Sequence, residues 1–296
     1  MKQGKNMHAL AVAALLISAF FWASGYLFVK QAIEELSPYY LLSFRYVLAA
    51  LLMLLIALTR LKHMSKELLK SGIFMGAALF LEFLTYTIGL QYTTVSRVSF
   101  IVAGYIIILP LVYLLIRRKA PKKQEILAAA VCMAGIACIL AGGEGSMNKG
   151  DLFSIFCAIS YAFHIVLGGK YAKEHDGILL NLMQIGTTAV LSTITALLFG
   201  TPPETVTMGQ AGSIVYLALG GTILPYLLCL FGQKYVSTTT SGIILSFESV
   251  FATMMSIIFL HETISLQFAV GGALVIGAFF VSEWNGNQLK IKKENL

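Results

Sequence analysis

Four ionisable side chains stand deep inside apolar runs of this 296-residue chain: Arg45, Glu82, His164 and Glu248. A charge far from water is costly, so such residues mark a binding site, a proton path or a structural pairing. Glu248 has two readings. It could hold a substrate ammonium or a coupling proton, or it could cap a broken helix or pair with Arg45. Glu82 is the stronger candidate for specificity, as a group that contacts substrate or carries a proton. Tyr86 follows it at i+4 and shares its helical face. Arg45 is placed near enough to the outer interface to snorkel, with capture of a substrate carboxylate as the second reading. His164 either titrates near neutral pH or makes a single satisfying hydrogen bond within a helix. Trp22, Tyr26, Tyr86, Tyr105, Tyr161, Tyr226 and Phe247 also fall inside apolar runs. A pocket of such rings with one or two carboxylates would suit an amine-bearing or aromatic solute, through cation–π contacts and a charge partner together. The expected substrate-binding set is Trp22, Glu82, Tyr86, Tyr105, Tyr161, His164 and Glu248.

The elements that must carry these residues are set by composition. The chain is 58% hydrophobic and 12% charged, with a mean hydropathy of +0.82. Soluble domains average about 45–50% apolar and about 25% charged residues. So few charges cannot cover a water-exposed surface, which points to an all-α membrane protein. Ten apolar stretches approach the roughly 20 residues a spanning helix needs. They run over 8–30, 38–59, 71–90, 97–116, 125–142, 151–169, 178–199, 211–232, 237–260 and 266–284. The first is too long for a signal peptide h-region, and no A-x-A site follows it. Ser37-Pro38 opens the second span as an N-cap and N1 proline.

Lysine and arginine placement orients the spans. With the N-terminus in the cytoplasm, 17 of the 21 basic residues lie on the inside, and only Lys30, Arg97 and Lys149 lie outside; Arg45 is within the second span. Both termini are therefore expected to be cytoplasmic. The net charge of +7 becomes a set of topology signals beside an anionic leaflet of the cell membrane, not a nucleic-acid surface. Cys132, Cys138, Cys157 and Cys229 all lie in apolar runs and form no metal-ligand spacing.

The chain is written twice. QYTTVSRVS at 91–99 and QKYVSTTTS at 233–241 are 142 residues apart, and each leads into an apolar helix. Trp22-Ala23 with Lys30 matches Tyr161-Ala162 with Lys170, and Gln124 matches Gln267. The repeats divide the chain into 1–145 and 146–296. Five spans per copy is an odd number, so the second copy enters the membrane from the opposite side, an architecture of alternating-access carriers. Small residues at i+4 allow close helix approach: Gly72 and Gly76, Ala130 and Ala134, and Ala269, Ala273 and Gly277. Spans five and ten are expected to pack tightly, as a scaffold or a homodimer face. Pro110 and Gly220-Gly221 with Pro225 are expected to kink spans four and eight, either as gates or as packing accommodations.

These residues resemble the ten-helix EamA family of the drug/metabolite transporter superfamily. The resemblance rests on Trp22-Ala23-Ser24-Gly25 through Lys30, on Pro38 with Phe44-Arg45 and Ala49, and on Gly89-Leu90-Gln91-Tyr92-Thr93-Thr94 with Ser99 and Pro110. It continues in Gly150-Asp151, Glu248-Ser249-Val250-Phe251-Ala252, and His261-Glu262 with Gln267, Gly271-Gly272 and Gly277. The family usually has proline where Ser249 stands and an aliphatic residue or alanine where Arg97 stands. The resemblance implies a secondary carrier, often an exporter of amino acids or related metabolites, and a span bearing Glu82 that borders the central cavity.

Rival classes find little support. An intramembrane enzyme would need HExxH, GxSxG with a histidine, or paired aspartates. Asp151 and Asp176 lie only at span ends. No P-loop points to ATP, and no ring of like charges points to a channel. A membrane scaffold or sensor is the remaining alternative. No cofactor or metal is expected. The expected partners are a small-molecule substrate, the lipid bilayer and a coupling proton.

Overall fold

The computed structural model describes residues 2–118, 123–141, 147–261 and 266–293. Every regular element among them is helical: α1 Lys2–Ala32, α2 Pro38–Ala57, α3 Lys66–Tyr92, α4 Val95–Ala103, α5 Tyr105–Arg117, α6 Lys123–Ala141 and α7 Lys149–Tyr171. The second half continues with α8 Gly177–Phe199, α9 Met208–Ala218, α10 Leu224–Tyr235, α11 Thr238–Leu245, α12 Phe247–Leu260 and α13 Leu266–Lys293. Among the described residues eight segments are long and apolar enough to cross a membrane, counting α4 with α5, α9 with α10, and α11 with α12 as one each. Two shorter apolar stretches, Ile126–Gly135 and Ala269–Ala278, lie in α6 and α13. Large apolar side chains such as Leu55, Phe74, Leu115 and Leu197 stand exposed around the bundle. A water-soluble fold would not leave so broad an apolar face bare, whereas lipid chains match it.

Local sequence sets the helix boundaries. Ser65, Thr94 and Ser237 each accept a backbone N–H from the first turn that follows. Asn148 with Asp151, and Thr207 with Gln210, form reciprocal capping boxes. Asp176 accepts from the backbone N–H groups of Ile178 and Leu179. Ser37 stands in the matching place before α2 and makes no such bond; Pro38 at the first turn of that helix presets its backbone instead.

The two halves interlock through an inverted symmetry that is visible in the contacts. The equivalent helices α2 and α8 pack together, as do α6 and α13. Both pairs run antiparallel. Ser43, early in α2, bonds Thr193, late in α8, while Arg60 just beyond α2 meets Asp176 at the head of α8. Gln124 at the head of α6 donates to the Val281 carbonyl past the middle of α13, while Gly135, further along α6, lies against Gly271 near the start of α13. Equivalent elements that run antiparallel are what an in-plane two-fold axis requires. The remaining contacts obey it too: α3 packs on α7 as α10 packs on α1.

The i+4 glycines Gly72 and Gly76 do permit close approach. A Cβ at either would collide with Met183 or Thr187 of α8. Spans five and ten pack closely as expected, but through other residues. A Cβ at Gly135 would lie 2.6 Å from the Gly271 carbonyl oxygen. Ala130, Ala134, Ala269 and Ala273 are exposed on the outer faces of the same helices. Small-residue spacing alone does not say which face meets a neighbour, and here the glycines take the contact.

Span four is interrupted at Gly104, between α4 and α5, and not at Pro110, which sits within α5. Span nine is interrupted at Ser246, between α11 and α12. The two breaks are 142 residues apart, the offset of the repeated sequence. In span eight the expected disturbance takes the form of one π-helical turn, Leu219–Ile223, ahead of Pro225.

Candidate functional site

A small cavity lies where α1, α2, α3, α7, the π turn and α12 converge. About 20 Å³ of it is open to the centre of a water molecule, room for one or two waters. Arg45, Glu82 and Glu248 line it, with Trp22, Tyr26, Phe83, Tyr86 and Tyr161 as aromatic walls. One guanidinium and two carboxylates thus face a single aromatic chamber.

Arg45 does not snorkel. It is buried, at 3% exposure, and its guanidinium lies 4.4 Å from the centre of the Phe83 ring. The reason lies 180 residues along the chain. Pro225 has no N–H, so it cannot donate to the Gly221 carbonyl four residues earlier. Arg45 Nη2 donates to that carbonyl at 2.8 Å, and its Nε donates to Thr222 Oγ1 at 2.8 Å. The Thr222 hydroxyl passes its own hydrogen to the Leu217 carbonyl across the π turn. The arginine therefore fills the donor gap of a broken helix while the rest of its fork borders the cavity.

Glu82 is buried at 6% exposure, and its Oε2 has no hydrogen-bond partner. His164 Nδ1 approaches that oxygen at 3.4 Å, an ion-pair distance without hydrogen-bond alignment. On the other side of its ring, His164 Nε2 meets Gln184 Oε1 at 2.9 Å. Three further buried polar atoms without partners surround this pair: Trp22 Nε1, Tyr46 OH and Tyr226 OH. The Tyr226 ring packs against both Trp22 and His164. Buried polar atoms are nearly always bonded in folded proteins; two of these four atoms, Trp22 Nε1 and Glu82 Oε2, belong to residues that line the cavity.

Glu248 lies in the first turn of α12, just past the break at Ser246, and is partly exposed toward the cavity. That position matches the capping reading, since a carboxylate at a helix N-terminus is favoured by the helix dipole. Its Oε2 accepts from the Tyr161 hydroxyl at 3.2 Å. Among the described residues it makes no ion pair with Arg45. Trp22 and Tyr161, equivalent positions of the two repeats, meet edge to face with centroids 6.1 Å apart. Tyr26 and Tyr86 do the same at 4.7 Å.

Each end of the bundle is tied across the halves. At one end Arg97 forms a bidentate pair with buried Asp151, both contacts at 2.7 Å, while within the first half Lys30 donates to the Leu90 and Thr93 carbonyls. At the other end Arg60 pairs with Asp176 at 2.7 Å and Ser71 bonds His175.

This geometry has relatives. The model of the EamA-like transporter family matches the chain twice, over residues 9–141 and 148–283. The chain belongs to the EamA-like transporter family. An uncharacterized transporter of Archaeoglobus fulgidus is 26% identical over 267 residues, covering 90% of this chain and 83% of the relative. The uncharacterized transporter YdfC of Bacillus subtilis is 22% identical over 93% of this chain and 89% of its own length. A solved crystal structure shares the fold with a TM-score of 0.76 at 17% identity, covering 94% of this chain and 98% of the other. This EamA protein is a multi-pass membrane transporter.

Of the EamA protein's expected site residues, Trp22, Glu82, Tyr86, Tyr161 and Glu248 line one cavity. Tyr105 and His164 stand behind it. Tyr105 packs on Tyr161 and donates its hydroxyl to the Gly242 carbonyl. Arg45, Tyr26 and Cys157 line the cavity as well and were not in the expected set. Arg45 and Tyr26 carried a signal, as an intramembrane charge and a mid-span tyrosine. Cys157 carried none beyond its place in an apolar run. Among the described residues, no group of three or more His, Cys, Asp or Glu is disposed to hold a metal ion.

Proposed function

We propose that this chain is a secondary carrier working by alternating access, and that its solute is an amino acid or a related amine-bearing aromatic compound. The observation that carries this reading is the presence of one guanidinium and two carboxylates in a single aromatic chamber between inverted halves. Arg45 would take the solute carboxylate, keeping its two bonds to the π turn. Glu82 and Glu248 would take the ammonium, and the tyrosine rings would enclose the apolar part. The chamber holds too little space for such a solute in this conformation, so binding requires the halves to part, as alternating access supposes. The 17-to-3 distribution of basic residues supports cytoplasmic termini for a chain held in the plasma membrane. Export is the direction implied by the resemblance to metabolite exporters, with a proton as the coupling ion.

Three related solutes separate the parts of this reading. Proteoliposomes should accumulate labelled L-phenylalanine, while phenethylamine lacks the carboxylate for Arg45 and phenylacetate lacks the amine for the glutamates. The expected order is L-phenylalanine first, with each truncated analogue at least tenfold slower, the loss of about one charged hydrogen bond. Equal flux of all three would contradict the proposed roles of Arg45 and the glutamates. No saturable flux of any amino acid or amine would contradict the substrate class.

A further inference from the structure

His164 is the centre of a chain of side chains whose direction can be worked out. It begins at a backbone carbonyl, which can only accept. Asn181 Nδ2 donates to the Ile223 carbonyl at 3.4 Å, so its Oδ1 faces the other way. Gln184 Nε2 donates to that Oδ1 at 2.7 Å. Gln184 Oε1 is then the atom that faces His164 Nε2, and an amide oxygen can only accept. His164 must therefore carry its hydrogen on Nε2. In a neutral imidazole this leaves Nδ1 without a hydrogen, 3.4 Å from Glu82 Oε2 and a small ring or carboxyl rotation away from hydrogen-bond alignment with it. Both Gln184 and Asn181 are fully buried, so water does not offer the chain another arrangement.

Two acceptors cannot face each other in a buried site without cost. One proton between them resolves the conflict, either as a carboxylic acid donating to Nδ1 or as an imidazolium donating to the carboxylate. Charge argues the same way. The titratable groups around Glu82 and His164 are Arg45 and Tyr46 from α2, Tyr26 from α1, Tyr86 from α3, Tyr105 from α5, Cys157 and Tyr161 from α7, Tyr226 and Cys229 from α10, and Glu248 from α12. Arg45 is the sole cation in this set, so two ionised glutamates would leave a net negative charge away from water.

We propose that Glu82 and His164 form one proton-binding site of this carrier, the proton lying between Oε2 and Nδ1, and that the Asn181–Gln184 amide chain sets it by fixing the histidine tautomer. On release, the proton leaves to solvent through the cavity, and Glu82 remains as a carboxylate available to an ammonium group. Binding of a cationic amine and loss of this proton are then coupled, which is the exchange a proton-driven carrier needs. This consequence rests on the proposed substrate site, but the proton itself can be read without any solute.

The test is nitrogen NMR on the full chain, labelled with 15N-histidine and reconstituted in liposomes. Replacing His8, His63, His175 and His261 with glutamine leaves His164 as the one histidine of five. The expected spectrum shows a protonated Nε2 at every pH, and an Nδ1 signal that moves once as the shared proton is lost. Glu82→Gln should abolish that movement, because an amide N–H can serve Nδ1 at all pH values. Gln184→Leu should transfer the neutral ring's hydrogen to Nδ1, since Nε2 loses its acceptor. A neutral histidine whose single hydrogen is on Nδ1, with Nε2 bare, in the otherwise unaltered site would overturn the proposal without any variant of the site. So would an Nδ1 response to pH that persists unchanged in Glu82→Gln. Absence of amino-acid flux would instead strike the substrate reading and leave these spectra decisive for the proton.

Discussion

The two halves share a backbone plan and differ in the polar groups mounted on it. Span four breaks at Gly104 and span nine at Ser246, at equivalent places. Beyond the second break Glu248 turns into the cavity, whereas beyond the first Tyr105 reaches across to brace the Gly242 carbonyl. Arg45 of α2 corresponds to Gln184 of α8, which instead fixes His164. The buried Arg97–Asp151 pair at one end is not repeated at the equivalent positions of the other, Thr239 or Thr240 and Val12; that end is held by the more exposed Arg60–Asp176 pair instead. In the proposed cycle, symmetry would supply the exchange of conformations and the departures from it the recognition chemistry.

Substitutions that erase one departure at a time test this contrast. The largest loss is expected for Arg45→Gln, which gives the first half the residue of the second. L-phenylalanine flux should fall by roughly tenfold to a hundredfold, the equivalent of about 1.5–3 kcal/mol for a charged hydrogen bond. Phenethylamine flux, lacking a carboxylate, should fall less. Equal losses would mean that Arg45 serves only the π turn. Glu248→Gln should lower the flux of both amines by a similar factor, measured in the same vesicles.

Asp151→Asn removes the pair that distinguishes the ends. Breaking a buried charge pair costs roughly 3–5 kcal/mol, and the partial exposure of Arg97 brings the expected loss to the low end of that range. Thermal unfolding of the reconstituted protein measures it. Unchanged stability would show that the Arg97–Asp151 pair does not hold this end. Tyr105→Phe removes the brace of the first break and should cost about 1 kcal/mol, the value of one hydrogen bond, with less than a threefold effect on flux.

The smallest difference concerns helix starts. Asp176→Ala should destabilise the protein by about 1 kcal/mol through its lost N-cap, and Ser37→Ala by a few tenths at most. Asp176 is partly buried, which by itself raises its carboxyl, but the backbone N–H groups of Leu179 and Ile178, with Arg60, bring it below the ordinary carboxylate range. A carboxyl lowered by folding contributes stability above the unfolded value, about pH 4, and loses that contribution as pH falls further. The difference between wild type and Asp176→Ala should therefore shrink below about pH 4. A difference that stays constant down to pH 2 would contradict the assignment.

Much of this organisation was legible in the sequence. Charges in apolar runs are rare enough that Glu82 and Glu248 announce themselves, and the repeat offset foretells where the second break falls once the first is seen. Arg45 misled because its distance from a span end speaks for snorkelling, while its partner is a carbonyl exposed by a proline in the other half. The Glu82–His164 approach joins α3 to α7, and no local spacing encodes such a contact. The alanines of spans five and ten satisfied a packing pattern that the neighbouring glycines fulfil instead.

The most direct test of the central claim uses Cys157, which lines the cavity between the halves. With Cys132, Cys138 and Cys229 replaced by alanine, this thiol can be labelled with a membrane-impermeant methanethiosulfonate from either face of oriented proteoliposomes. Reaction is expected from both faces, each slowed by L-phenylalanine and each favoured by conditions that suppress the other. Labelling confined to one face in every condition, or unaffected by a solute that is transported, would contradict a substrate cavity with alternating access.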